Sequence, residues 1–171
     1  ENKWGRIYYI FEGVASCATL YINGKYVGFT QGSHLQSEFD ITDFVTEGKN
    51  TVRVDVLKWC CGSYLEDQDF FRFNGIFRDT YILQRPENHI VDVKVKAENG
   101  VISVTTGKKA NVEIFNADGE LLGSISDTVN AEFSIKNPIF WNAENPNLYT
   151  VKIEREGEII TQKTAFRTIE I

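Results

Sequence analysis

Apolar and polar positions alternate with a period of two through most of the chain, and no stretch holds a long 3.6-residue period. Residues 6–11 (RIYYIF), 18–22 and 26–29 read as strands. The Asn23-Gly24 pair between the last two marks a hairpin, because both residue types tolerate positive φ. Residues 39–45 (FDITDFV) read as a short edge segment or a helical turn. Residues 50–58 (NTVRVDVLK) read as a strand with Val52, Val54 and Val56 on one face. Residues 79–84 (DTYILQ) close this half, and Arg85-Pro86-Glu87-Asn88 interrupts the pattern. Proline cannot donate to a sheet ladder, so a boundary is expected there, dividing the chain into 1–86 and 87–171.

Past the boundary the rhythm shortens. Residues 90–97, 101–105, 110–115, 121–125, 131–135, 149–155 and 158–171 read as strands. Asn99-Gly100, Asp118-Gly119 and Glu156-Gly157 are their turns, and residues 138–146 form a proline-bounded loop. Seven or so short strands in roughly eighty-five residues suggest an immunoglobulin-like sandwich. No cysteine pair of the antibody type is present. The fold class expected is all-β.

Composition narrows the function. Hydrophobic residues at 42% and charged residues at 25% describe a globular domain rather than a disordered one. A formal net charge of -6 leaves no electrostatic footprint for nucleic acid, and no apolar run is long enough to cross a bilayer. With 0 methionines and a strand almost at its start, the chain reads as an excised piece of a longer protein. Cys17, Cys60 and Cys61 are odd in number and two are adjacent, a poor disulfide framework that suggests a reducing, cytoplasmic setting. Without further Cys or His at ligand spacing they do not make a zinc site. His34 and His89 are isolated and read as surface residues.

The chemistry concentrates in residues 62–79 (GSYLEDQDFFRFNGIFRD), where Glu66, Asp67 and Asp69 stand among Tyr64, Phe70, Phe71 and Phe73, with Arg72 and Arg78 close behind. Carboxylates in aromatic surroundings are costly unless a cation, an arginine or a ligand hydroxyl satisfies them. A solvated or arginine-paired loop and a ligand-holding loop are both open on these residues alone.

Together with residues 31–40 (QGSHLQSEFD), this run resembles the sugar-binding domain of family 2 glycoside hydrolases, in the form found in large bacterial β-galactosidases. Asn137-Pro-Ile-Phe-Trp141 followed by Glu144-Asn-Pro-Asn-Leu-Tyr149 resembles the signature of the immunoglobulin-like domain in the same family. Ala165-Phe-Arg-Thr-Ile169 resembles the strand that leads into its catalytic barrel. Read without the family, Trp141 is a core aromatic, Pro138 and Pro146 shape a loop, and Arg167 pairs with a carboxylate.

The resemblance implies the later part of a jelly-roll sugar-binding sandwich in 1–86 and an immunoglobulin-like sandwich in 87–171. It implies a parent enzyme that hydrolyses terminal β-galactosides with retention, using sodium and magnesium. Glycoside hydrolysis needs two carboxyl groups across the scissile bond. Asp67 and Asp69 superficially suit such a pair, yet in this family the catalytic glutamates lie in the barrel, so no catalytic residue is expected here. Asp69 matches the aspartate that reaches into the barrel's active site, contacts the galactose and helps hold sodium. Asp67 would support the loop, and Arg72 or Arg78 would pair with Glu66. Gln31 matches a position that helps hold a peripheral magnesium, but Cys61 replaces the accompanying carboxylate, and thiolate is a poor magnesium ligand.

The partners implied are a β-galactoside and the catalytic barrel, with no nucleic acid and no membrane. By itself the chain is expected to be inactive and to need no cofactor. Missing sandwich strands would leave edges that pair with another copy through residues before Pro86, giving a homo-oligomer. A stand-alone carbohydrate-binding module, with Trp59, Tyr64 and Phe71 as stacking platforms, is the competing reading. A ligand-free structural pair of sandwiches is the third, and it expects Asp69 in a salt bridge.

Overall fold

β3 (Cys17–Ile22) shows how the first half is built. Ala18, Leu20 and Ile22 alternate to one side and are buried, while Thr19 and Tyr21 between them are half-exposed. A computed structural model describes residues 5–66 and 74–167, and the chain divides into two compact units, Glu1–Glu87 and Asn88–Ile171.

In the first unit β3 pairs antiparallel with β4 (Lys25–Thr30) and β6 (Val52–Leu57), giving the order β4-β3-β6. Asn23 at φ 51° and Gly24 at φ 79° make the expected tight hairpin between β3 and β4. A second sheet sets β1 (Arg6–Phe11) between β5 (Ser37–Asp40) and β8 (Thr80–Arg85). Two short strands, β2 (Val14–Ala15) and β7 (Gly75–Ile76), form a separate pair. Phe11 from one sheet and Ala18, Leu20 and Ile22 from the other meet in a single apolar cluster with Val14 and Ile41. That shared cluster makes the unit a β-sandwich. Residues 39–45 combine both expected forms: β5 ends at Asp40, and a turn follows in which the Phe44 and Val45 N–H groups donate to the Ile41 carbonyl at 2.9 and 3.2 Å. Val54 and Val56 pack on the cluster as expected, but Val52 at the strand's start is exposed. A short helix, α1 (Cys61–Leu65), was not anticipated; five residues are too few to show a helical period.

The second unit is an antiparallel sheet of order β11-β10-β12-β13, with β9 (Lys94–Glu98) also pairing with β10. Here four expected short strands are two long ones: β10 runs Val101–Phe115 and β11 runs Leu121–Ser134. Residues 106–109, which look like a turn, form an irregularity inside the hairpin instead, with Gly107 at φ 66° and register shifts between Thr105 and Val112. Thr106 is buried there and its hydroxyl donates to the Lys108 carbonyl at 2.6 Å, so the interruption satisfies its own polar groups. β9 pairs with β10 over residues 101–105 and β12 (Tyr149–Arg155) pairs with it over 111–115. One hairpin therefore serves strands on both sides of the irregularity. β13 (Glu158–Thr164) pairs with β12 at the edge.

Ile102, Val104, Val112, Ile114, Val151, Ile153 and Phe166 are all buried in this unit's core. Tyr149 is buried too, and its hydroxyl accepts the Ile139 N–H at 3.0 Å, tying the loop before β12 to the strand. Two expectations are corrected. Trp141 is only half-buried, because Phe166 fills the core position and Trp141 instead donates its N–H to the Phe166 carbonyl at 2.8 Å. His89 is buried rather than on the surface, since the neighbouring Ile90 is drawn into the core and its N–H donates to Glu158 at 3.0 Å. No ion pair of Arg167 with a carboxylate occurs among the described residues.

Candidate functional site

The two sequence stretches that carry the resemblance, 31–40 and 62–79, meet in the first unit. The loop after β4 brings Ser33 inward, and Ser33 holds Glu66 at the end of α1. The Ser33 N–H donates to Glu66 Oε1 at 3.3 Å and the Ser33 hydroxyl makes a short bond to Glu66 Oε2. The same hydroxyl lies 2.9 Å from His34 Nδ1. α1 sits directly on this loop, and a Cβ at Gly62 would lie 3.0 Å from the Gln31 carbonyl oxygen. Glycine at that position lets helix and loop approach.

The returning segment is fixed from the other side. The Phe77 N–H donates to the Gly13 carbonyl at 3.3 Å, and the Glu12 N–H donates to the Asp79 carbonyl at 3.0 Å. Arg78 does not reach Glu66; its Nη1 donates to the carbonyls of His34 at 3.0 Å and Glu12 at 3.3 Å. The expected pairing of Glu66 with Arg78 is thus replaced by the serine contact, which a backbone N–H and a hydroxyl together make without burying a second charge. The His34 and Phe77 rings stand 5.2 Å apart. Glu66 is an anchor here.

Asp67, Asp69, Phe70, Phe71 and Arg72 lie outside the described residues. Glu66 is the last described residue before them. In and just before α1 three large apolar side chains are exposed: Trp59 at 54%, Tyr64 at 76% and Leu65 at 87%. Gln31 and Cys61 are exposed beside one another's segments. An amide and a thiol, with Glu66 committed to Ser33, do not suit a hard divalent cation such as magnesium that takes oxygen ligands. Among the described residues no cluster of three or more His, Cys, Asp or Glu side chains could hold a metal ion. No helix among them is long and apolar enough to cross a membrane. In the second unit a shallow depression of about 290 Å³ is lined by Trp141, Leu148, Lys163, Thr164, Ala165 and Arg167. The Ser33–Glu66 link joins residues 33 positions apart, and no local pattern signals it.

This first unit matches the model of the glycosyl hydrolases family 2 sugar binding domain over residues 2–86. The general model of glycosyl hydrolases family 2 matches residues 76–167, more than half of the chain. The chain belongs to glycosyl hydrolase family 2. It is 42% identical to a β-galactosidase of Staphylococcus xylosus, with 94% of this chain aligned to 17% of that protein. It is 38% identical to a β-galactosidase of Priestia megaterium, over 100% of this chain and 20% of that protein. The chain thus spans about a fifth or less of the length of these relatives.

Among solved structures it is similar to a β-glucuronidase from an uncultured Clostridium species, with a TM-score of 0.77 at 24% identity over 98% of this chain and 33% of that one. A Bifidobacterium dentium β-glucuronidase gives a TM-score of 0.81 at 20% identity over 99% of this chain and 37% of that one. Those likenesses show the fold. The described residues hold two β-sandwich units and no catalytic barrel.

Proposed function

We propose that this chain is the sugar-binding and immunoglobulin-like part of a β-galactosidase that hydrolyses terminal β-galactosides with retention. The observation that carries the reading is the 42% identity to a β-galactosidase across nearly the whole chain, against 24% or less to the β-glucuronidases of the same fold. In this reading the carboxyl groups that do the bond breaking lie in a barrel, and these residues position substrate. Glu66, held by Ser33, anchors the segment that carries Asp69, and the Asp69 carboxylate accepts hydrogen bonds from galactose hydroxyls in the barrel's active site. Sodium beside Asp69 would supply a positive charge for the sugar's hydroxyl oxygens. The three free cysteines fit a reducing, cytoplasmic setting, and the edge strands of the first unit suit assembly of several copies.

The test uses the complete β-galactosidase. Asp69→Asn keeps the shape and removes the charge, so kcat/KM on a chromogenic β-galactoside should fall by roughly 1.5–3 kcal/mol of transition-state stabilisation, with weaker sodium dependence. Residues 1–171 without the barrel should give no turnover. Wild-type kinetics in Asp69→Asn would end the assignment of Asp69, and turnover by residues 1–171 alone would end the division of labour.

Exposure of Trp59 and Tyr64 supports the second reading, a module that stacks sugar by itself. Galactose perturbing the Trp59 and Tyr64 resonances of the isolated chain would favour it; unchanged spectra would leave the enzyme reading alone.

A further inference from the structure

Cys17 and Cys60, 43 positions apart in sequence, come together where β3 begins and the chain passes from the end of β6 into α1. Cys17 opens β3 opposite Leu57 of β6, and the Ser16 N–H donates to the Leu57 carbonyl at 3.1 Å. The Ser16 hydroxyl donates to the Lys58 carbonyl at 2.7 Å, which fixes the chain leaving β6 against the start of β3. That chain reaches Cys60, whose sulfur turns inward and lies 3.5 Å from the Ser16 carbonyl oxygen. The Ser16 carbonyl carbon is bonded to the Cys17 nitrogen, so this contact sets the Cys60 sulfur against the backbone of Cys17. Cys61, the next residue, is exposed, whereas Cys17 is 1% exposed and Cys60 is half-buried.

We propose that Cys17 and Cys60 are a thiol pair that closes into an intrachain disulfide when the protein meets hydrogen peroxide, with Cys60 as the sulfur that reacts first. Exposure assigns the order, since peroxide reaches the half-buried Cys60 before Cys17, which is 1% exposed. Burial keeps the Cys17 thiol protonated by pushing its pKa up, with the neighbouring Cys60 adding to the effect, so Cys17 is the poorer first nucleophile. The Cys60 thiolate attacks one oxygen of the peroxide; the O–O bond breaks, hydroxide leaves and is protonated to water, and Cys60 becomes a sulfenic acid. Cys17 sulfur then attacks the Cys60 sulfur, the S–O bond breaks, and a second water leaves carrying the Cys17 proton. Two sulfurs have lost two electrons and one peroxide has become two waters.

Cys61 is excluded from the pair by direction. It stands in the first turn of α1 with its side chain in solvent, and a link between adjacent cysteines closes a strained small ring. The closing link also has a structural consequence. Cys60 is the residue that caps α1: its N–H donates to the Ser63 hydroxyl oxygen at 3.1 Å, and the Ser63 hydroxyl lies 3.9 Å from the Cys60 sulfur. Drawing that sulfur onto Cys17 takes it away from Ser63 and loads the start of the helix that ends at the Glu66 anchor.

The experiment treats the reduced, folded protein with a small excess of hydrogen peroxide, blocks remaining thiols and maps the unreduced digest by mass spectrometry. The expected result is loss of two of the three free thiols, a Cys17–Cys60 linked peptide as the main product, and full recovery of three thiols with dithiothreitol. Cys61→Ser should form the same link, and Cys60→Ser should lose it. A predominant Cys60–Cys61 or interchain Cys61 link would overturn the proposal. So would three unreacted thiols in wild type, or a Cys17–Cys60 link that appears only after unfolding in urea.

Discussion

The two units spend their apolar residues differently. In the second, buried side chains form one continuous cluster from Ile90 to Phe166 that takes in residues of β10, β11 and β12. In the first, the fully buried cluster is smaller, and large apolar side chains at Leu57, Trp59, Tyr64, Leu65, Tyr81 and Ile82 face outward. Scattered exposed apolar residues are ordinary, but twelve large ones are exposed among the described residues of the first unit against seven in the second, and those around α1 and along β8 mark a surface with work beyond holding its own fold.

Core truncation tests that contrast most strongly. Phe11→Ala in the first unit should cost about 3–5 kcal/mol and Ile153→Ala in the second about 2–5 kcal/mol in urea unfolding, since both side chains are fully buried. Ile82→Ser, at a residue 60% exposed, should stay within about 0.5 kcal/mol. A large loss at Ile82 would mean that the outward apolar residues hold the unit together.

Glycines beneath aromatic rings give a matched pair of smaller effects. A Cβ at Gly28 would meet the Phe39 ring at 2.5 Å, and one at Gly123 would meet the Phe133 ring at 2.8 Å. Gly28→Ala and Gly123→Ala should each destabilise by about 1–3 kcal/mol through overpacking. Phe39 is half-buried and Phe133 buried, so the second-unit variant should be the worse of the two, read as the shift in denaturation midpoint.

Tyr149→Phe removes the acceptor of the Ile139 N–H and should cost about 0.5–1.5 kcal/mol, with faster amide exchange at Ile139 as its local signature. Unchanged exchange there would show that the loop is held by other contacts.

Smallest is a pH effect confined to the first unit. Burial alone would raise the Asp40 pKa, but hydrogen bonds from Thr42 and the charge of Arg6 outweigh it and hold the carboxyl below its ordinary value. A carboxyl with a lowered folded-state pKa adds stability above its unfolded pKa and loses it as pH falls through the folded one. Both partners are exposed, with side chains at 38% and 40%, so the contribution should stay below about 1 kcal/mol. Asp40→Asn should flatten the acid side of a Tm-against-pH curve by that amount; an unchanged slope would place the acid sensitivity elsewhere.

Much of this architecture is visible in the residues themselves. Asn23-Gly24 specifies its hairpin locally, and the alternation of Ile102, Val104, Val112 and Ile114 reports a buried face. What hides is whatever depends on distant partners. Gly107-Lys108-Lys109 has the chemistry of a turn, and only the strands on either side pull it into a continuous β10. A lone histidine carries no sign of burial, yet His89 follows Ile90 inward. The candidate site was legible as a resemblance, through Glu66 and its neighbours, but the hold of Ser33 on Glu66 is a tertiary fact.

The irregularity in the long hairpin also bears on how the gene can change length. Along β10 the even-numbered positions stay buried on both sides of residues 106–109 while the pairing with β11 shifts there, so the irregularity takes up a mismatch in the ladder without turning the apolar face. An extra codon among residues 107–109 is absorbed where the ladder is already out of step. The same codon placed between Asn111 and Phe115 would turn Val112 or Ile114 outward and misalign β10 against both β11 and β12. Length variation in this unit should therefore collect at the bulge and at the turns, and spare the paired halves of the hairpin.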